Sequence, residues 1–296
     1  MSHGLCRILR TLFSLCINLI LSASIGQAFA YSIPENHAVN GGISIIPFDS
    51  VQKPEVFFGD HRIAVVESTK PHQWLLIAGI PLDQTQSVQD LIVNKPKHSV
   101  LPIHVSDKFY KTQYLTIEDT RKVDPLPEDH ARIAVETKKF ENIFSSYTAQ
   151  NPFVNDFTPP AQGPVSSLFG LSRVFNKEPR PSHTGLDIAA PADAQVSVIS
   201  PGTVVDTGNY FYTGNTVIVD HGMGVFSLYG HLKEIDVKPG EIVKQGSLLG
   251  KVGMTGRATG PHLHWSMIVN QTYVDPLLFV PSQYFKALPK KEEKKA

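Results

Sequence analysis

The chain has 296 residues, with 42% hydrophobic and 18% charged side chains. That is enough apolar material for one large core or two ordinary ones, and too much for a disordered protein. Lys+Arg and Asp+Glu both number 27, so there is no strong positive field to steer a nucleic-acid binder, and nucleic acid is set aside as a partner.

Residues 1–30 differ in kind from the rest. Arg7 and Arg10 form a short basic start, Thr11 to Ala30 is uncharged, and the run ends Ala28-Phe29-Ala30. These are the parts of a signal peptide cut before Tyr31. The competing reading is a retained anchor, since ~20 uncharged residues can just span a bilayer. Asn18, Gly26 and Gln27 dilute the run, and the small-residue ending favours cleavage and export. Cys6 and Cys16 are the only cysteines and both lie in this leader. The exported chain is therefore expected to have no disulfide and no thiolate site, and to draw any metal ligands from His, Asp and Glu.

Residues 41–126 read as a small β domain. Ile43–Ile46 before Pro47, Val56–Phe58 before Gly59-Asp60, Ile63–Val66, Trp74–Ala78 before Gly79, and Tyr114–Ile117 are short strand-like runs closed by turn residues. From Pro127 the pattern becomes helical. Proline suits a first turn, Glu128 and Asp129 follow it, and Ile133, Phe140, Ile143 and Phe144 fall on one face, which predicts a helix to about Ser146. Asn151–Pro164 holds Pro152, Pro159, Pro160 and Pro164, a stiff extended connector, so 127–164 is read as connecting helix plus linker. Residues 165–285 return to β texture with many glycines. Within them Pro201-Gly202-Thr203-Val204-Val205 and Pro239-Gly240-Glu241-Ile242-Val243 echo each other, which suggests two similar hairpins. Residues 286–296, ending in a mixed-charge run, read as a solvated, disordered tail. The expected fold is mainly β: a small N-terminal β domain, one connecting helix, and a C-terminal all-β domain with an open groove.

The residues able to do chemistry lie beyond the linker. His183 and Asp187 are four apart in Pro181-Ser182-His183-Thr184-Gly185-Leu186-Asp187. On a regular strand they would stand about 13 Å apart, too far for one metal ion, so the segment must bend, and Gly185 permits a bend. Alone, this pair reads first as a surface His and a turn Asp. His262 and His264 flank Leu263, and residues two apart on a strand share a face. His231 follows a strand that begins near Val225, and by itself would be an ordinary satisfied histidine. Together these residues form a set from which three can hold zinc, leaving a position for water, as catalytic zinc sites do. The remaining two histidines can then move protons. Spacing leaves open which of His262 and His264 binds metal. His221, before Gly222, is expected to be structural, in a hairpin turn. Asn209 and Tyr210, with Phe211 and Tyr212, are candidates to line a substrate groove.

The run Ser182-His183-Thr184-Gly185-Leu186-Asp187-Ile188-Ala189-Ala190-Pro191, with Val219-Asp220-His221-Gly222, Tyr229-Gly230-His231-Leu232 and Thr259-Gly260-Pro261-His262-Leu263-His264-Trp265, resembles the lysostaphin-type (LytM-like) zinc endopeptidases. The resemblance covers about Val165 to Phe279. It implies zinc on His183, Asp187 and His264, with His231 and His262 as catalytic histidines. The implied activity is hydrolysis of stem-peptide cross-links of bacterial peptidoglycan by a metal-activated water. Residues 41–129 resemble, more loosely, the β domain that precedes the peptidase in Gram-negative members, which implies a periplasmic location. The rival reading is a non-catalytic wall-binding activator of another hydrolase, which would have no use for an open zinc site. The N-terminal domain is expected either to cover the groove until a regulatory protein partner displaces it, or to target the wall.

Overall fold

Short apolar runs separated by Gly, Pro and Asp turns account for nearly all the regular structure in the computed structural model, which describes residues 32–118 and 120–285. The leader at 1–30 and the tail at 286–296 lie outside the described residues. Among the described residues no helix is long and apolar enough to cross a membrane.

The N-terminal part is two small antiparallel sheets. One has the order Ile43–Asp49, Gln73–Gly79, Ala64–Glu67; the other His61–Arg62, Glu55–Phe58, Val88–Lys95, Ser99–His104. The first strand runs on through Pro47 instead of stopping before it. It is an edge strand, where a missing N–H costs no ladder bond. The strand expected at Tyr114–Ile117 is shifted to Thr112–Leu115 and pairs in parallel with Ser172–Phe175 of the C-terminal part.

Strand alternation explains how the two parts join. Val65, Leu76 and Ala78 face the four-stranded sheet and share its core. Ala64, Val66 and Ile77, on the opposite face, belong to the large C-terminal core. The junction is also polar: buried Asn270 gives its side-chain amide to Gly79 O at 3.2 Å and accepts Gly79 N–H at 2.6 Å. The proline-rich segment is part of this packing. Phe153, Phe157 and Ala161 are buried in the same core, with Phe157 edge-on to Phe279 at 5.0 Å.

Among the described residues the C-terminal sheet has ten strands. Its main path runs Ile242–Val243, Gly202–Tyr210, Gly214–Gly222, Val225–Ile235, Leu263–Val269, Leu186–Ile188, Val165–Ser167. Only the first of the two echoing segments forms a hairpin, its strand Gly202–Tyr210 pairing with Gly214–Gly222; the second, Ile242–Val243, is a short edge strand laid against the first, Gly202 opposite Val243 and Thr203 opposite Ile242. His221 is fully buried at the end of the strand Gly214–Gly222, bonded to Pro201 O at 2.9 Å and Ser227 Oγ at 2.7 Å. Its role is structural.

The helix spans Pro127–Phe144. Asp129, in the first turn, accepts from the Leu126 N–H at 3.2 Å and from Arg121 at 2.7 Å. Its apolar face packs Phe140, Ile143 and Phe144 on Ile218, Phe226, Leu228 and Ile268 of the large sheet.

Two stability predictions follow from this packing. Phe153→Ala empties a fully buried site and should cost about 3–5 kcal/mol in denaturant unfolding; a loss under about 1 kcal/mol would mean the linker is not part of the core. Burial lowers His221 from its ordinary 6.5 to about 4, so between those pH values the unfolded chain binds the extra proton. The His221 contribution to stability should therefore fall by about 3 kcal/mol as pH drops from 6.5 to 4, its own share levelling off below. His221→Asn should flatten that slope by about one proton.

Candidate functional site

Asp187 stands opposite His264 where strand Leu186–Ile188 pairs with Leu263–Val269. His183 comes from the irregular segment just before the first of these strands. His183 Nε2 lies 3.0 Å from Asp187 Oδ1 and 3.1 Å from His264 Nδ1, and His264 Nδ1 lies 2.9 Å from Asp187 Oδ1. The three residues are buried, and their donor atoms lie within 4.8 Å of one another. A triangle of about 3 Å sides is close to the ~3.3 Å spacing of ligands in a tetrahedral shell at ~2.0–2.1 Å. Gly185 serves this arrangement by close approach, since a Cβ there would meet His264 Cε1 at 2.6 Å and Ser266 Oγ at 2.7 Å.

The outer atoms of each group are tied. His183 Nδ1 donates to Leu168 O at 2.8 Å, which leaves the Nε2 lone pair facing inward. His264 Nε2 is 3.0 Å from Ser266 Oγ, and Asp187 Oδ2 accepts from Arg173 at 3.3 Å. Such outer contacts fix tautomer and orientation in metal sites. Burial alone would raise the Asp187 carboxyl, but His183 and then His264 outweigh it and hold it well below the usual carboxylate range. Burial lowers His264 to about 4, against the pull of Asp187. Two imidazole nitrogens and one carboxylate oxygen fit a divalent cation that accepts nitrogen and oxygen ligands.

His231 and His262 border this trio, with ring centroids 4.6 Å apart. The ladder passes from Val217 opposite Tyr229 to Asn215 opposite Leu232, so Gly230 and His231 share the place opposite Thr216. This bulge re-aims His231 and leaves it with φ +62°. Its N–H donates to Thr213 O at 2.7 Å and its Nδ1 to Thr255 O at 2.7 Å. His262 Nδ1 donates to Gly260 O at 2.8 Å, and its Nε2 is 3.9 Å from Asp187 Oδ1. Both rings therefore present Nε2 lone pairs to the site. Burial, then the neighbouring His262 and His264, lower His231 to about 3 and keep it neutral.

A cavity of about 460 Å³ opens beside these groups, bordered by His183, His231 and His264 on one side. Its opposite wall is the helix, through His130, Ile133, Glu136, Thr137 and Phe140. The helix is clamped to the end of strand Gly202–Tyr210. Lys139 Nζ bonds Asp206 Oδ1 at 2.7 Å and Tyr210 Oη at 2.8 Å, and the Phe140 and Tyr210 ring centroids are 4.7 Å apart. Arg132 donates to Asn209 O at 2.9 Å, and Glu136 accepts the Phe211 N–H at 2.8 Å. Of the four residues expected to meet substrate, Tyr210 and Tyr212 line the cavity, while Asn209 and the Phe211 N–H are engaged by the helix.

The structure thus brings His183, Asp187, His231, His262 and His264 together. Sequence reasoning missed Arg173, Arg180 and Arg257, which line the site, and the Thr255 carbonyl that orients His231. No motif spacing marks them, because each belongs to a segment whose neighbours are set only by folding.

The profile of peptidase family M23 matches residues 181–276, and that of the peptidase family M23 N-terminal domain matches 36–108. A crystal structure described as a peptidase M23 from Pseudomonas aeruginosa is 34% identical, covering 83% of this chain and 96% of that one, with a TM-score of 0.71. Among curated proteins, the peptidoglycan DD-endopeptidase ShyA of Vibrio cholerae is 42% identical over 106 residues, 36% of this chain and 25% of ShyA. ShyB of the same organism, also named a peptidoglycan DD-endopeptidase, is 38% identical over 140 residues, 46% of this chain and 30% of ShyB. The matched region thus spans less than a third of either Vibrio protein.

The clamp on the helix gives a direct test of this geometry. Replacing Lys139 and Phe140 together by Ala should lower the local opening free energy of 127–144 by about 1–3 kcal/mol in amide hydrogen exchange. Strands Gly214–Gly222 and Leu263–Val269 should keep their protection; a uniform loss across all three would place the helix in the global folding unit instead.

Proposed function

The chain belongs to peptidase family M23, and on that premise we propose that it is an exported, periplasmic zinc endopeptidase that hydrolyses stem-peptide cross-links of bacterial peptidoglycan. The observation that carries this reading is the convergence of His183 Nε2, Asp187 Oδ1 and His264 Nδ1, each with its outer atom already engaged. The substrate class is taken from the names of the Vibrio cholerae relatives.

His183, Asp187 and His264 would hold the zinc. When bound, that ion supplies Lewis acidity, which acidifies a water and polarises an amide carbonyl. The chain's own residues orient and move protons around it. His231 Nε2, neutral and fixed through Thr255 O, accepts a hydrogen of the attacking water and so orients it. Burial makes a charge on His231 costly. The proton therefore passes to Nε2 of His262, whose side chain is 16% exposed. The resulting imidazolium N–H donates it to the leaving amine.

Changing His183, Asp187 or His264 to Ala should abolish zinc retention in elemental analysis. His262→Ala should keep zinc and lose activity by about 10²–10⁴-fold. Zinc lost by His262→Ala but kept by His264→Ala would reverse the assignment of the pair. Purified cross-linked muropeptides, with products identified by mass, test the activity itself. A chain that binds wall, retains no zinc and releases no product would be a non-catalytic activator.

A further inference from the structure

Three arginines, Arg173, Arg180 and Arg257, line the same cavity as His183, His231 and His264. Arg173 bonds Asp187 at 3.3 Å, and Arg180 bonds Asp124 at 2.5 Å and Glu178 at 2.7 Å. The Nε of both is buried without a hydrogen-bond partner. Arg257 has no ion pair or side-chain hydrogen bond among the described residues. Its guanidinium lies 4.4 Å from the Tyr212 ring centre and 5.2 Å from that of Phe175, while Arg173 lies 5.7 Å from the same Phe175 ring. Among the described residues that line the cavity the one carboxylate, Glu136, is taken by Arg132 and the Phe211 N–H.

Stacking on aromatic rings would explain one arginine as packing. It does not explain why Arg257 lines one cavity with Arg173 and Arg180 and, unlike them, has no carboxylate partner among the described residues. Burial and then Arg173 lower Arg257 to about 10, the signature of a cation short of counter-charge. An entering anion relieves both desolvation and mutual repulsion. Arg257 also shares the segment 253–262 with Thr255, whose carbonyl orients His231, so whatever binds it sits beside the reacting groups.

We infer that Arg257, flanked by Arg173 and Arg180, binds a carboxylate of the peptide next to the scissile amide and makes the groove selective for anionic peptides. The planar guanidinium fork suits a carboxylate held by two parallel hydrogen bonds. This rests on the reading of the site as a peptidase groove.

The test pairs two substrates, a cross-linked peptide dimer with the flanking carboxylate free and the same dimer with it amidated. The unaltered chain should prefer the free acid. Arg257→Gln should raise KM for the acid about ten- to a hundredfold more than for the amide, with the smaller change in kcat, and Arg257→Lys should fall between. Should Arg257→Gln fail to fold, Arg180→Gln carries the same comparison. Equal penalties on both substrates, or no preference in the unaltered chain, would overturn the inference. Calorimetric binding of the acid and amide product peptides to the full chain separates this site from hydrolysis. A chain that binds acid over amide and cuts neither keeps the arginine site and loses the hydrolase reading. A chain that cuts and binds both alike keeps the hydrolase reading and loses the arginine site.

Discussion

The pairing of Leu186–Ile188 with Leu263–Val269, Asp187 opposite His264, is the contact on which the rest of the site depends. One ladder position brings together residues 77 apart, and the next strand over places Gly230 opposite His264. His183 and His231 are then each one short irregularity away, a bend before one strand and a bulge in the other. A slip of strand Leu263–Val269 by one residue would turn His264 to the opposite face of the sheet, away from Asp187, and put Leu263 in the site. The fully buried Leu263 and Trp265 resist such a slip, because it would bring them out of the core.

Gathering a carboxylate and two imidazoles in a buried place is costly unless each has a partner. The fold answers this with backbone and hydroxyl acceptors on the outer atoms and with Arg173 on Asp187. The inward atoms are left facing one another. That arrangement is expensive as mere packing and suited to a shared cation, and the mutual support of Asp187 and its histidines is what holds the carboxyl ionised.

The N-terminal part shapes this site from outside. Its three-stranded sheet is buried on both faces, by its own four-stranded neighbour and by the C-terminal core. The chain that leaves it returns as a helix along the groove, held by Lys139, Phe140, Arg132 and Glu136. The wall nearest the chemistry is therefore this helix, not the β sheets of residues 41–126.

Much of this was legible in residue order. Alternating apolar runs and turn residues specify strands, Pro127 with two acidic neighbours specifies a helix start, and H-x-H on a strand puts two imidazoles on one face because the side-chain period is two. Local physics of this kind acts over a few residues and can be read from them. It could not say which member of the H-x-H pair meets Asp187, since that is settled by a strand partner distant in sequence. Nor could it show that Gly185 makes room for the His264 ring, that a bulge aims His231, or that the two Pro-Gly echoes pair with each other. Arg173, Arg180 and Arg257 carry no spacing that links them, and the apolar face of the helix does not reveal that its Ile133 borders a cavity. These features arise only when segments far apart in the chain are packed against one another, because contact and burial are properties of the assembled fold.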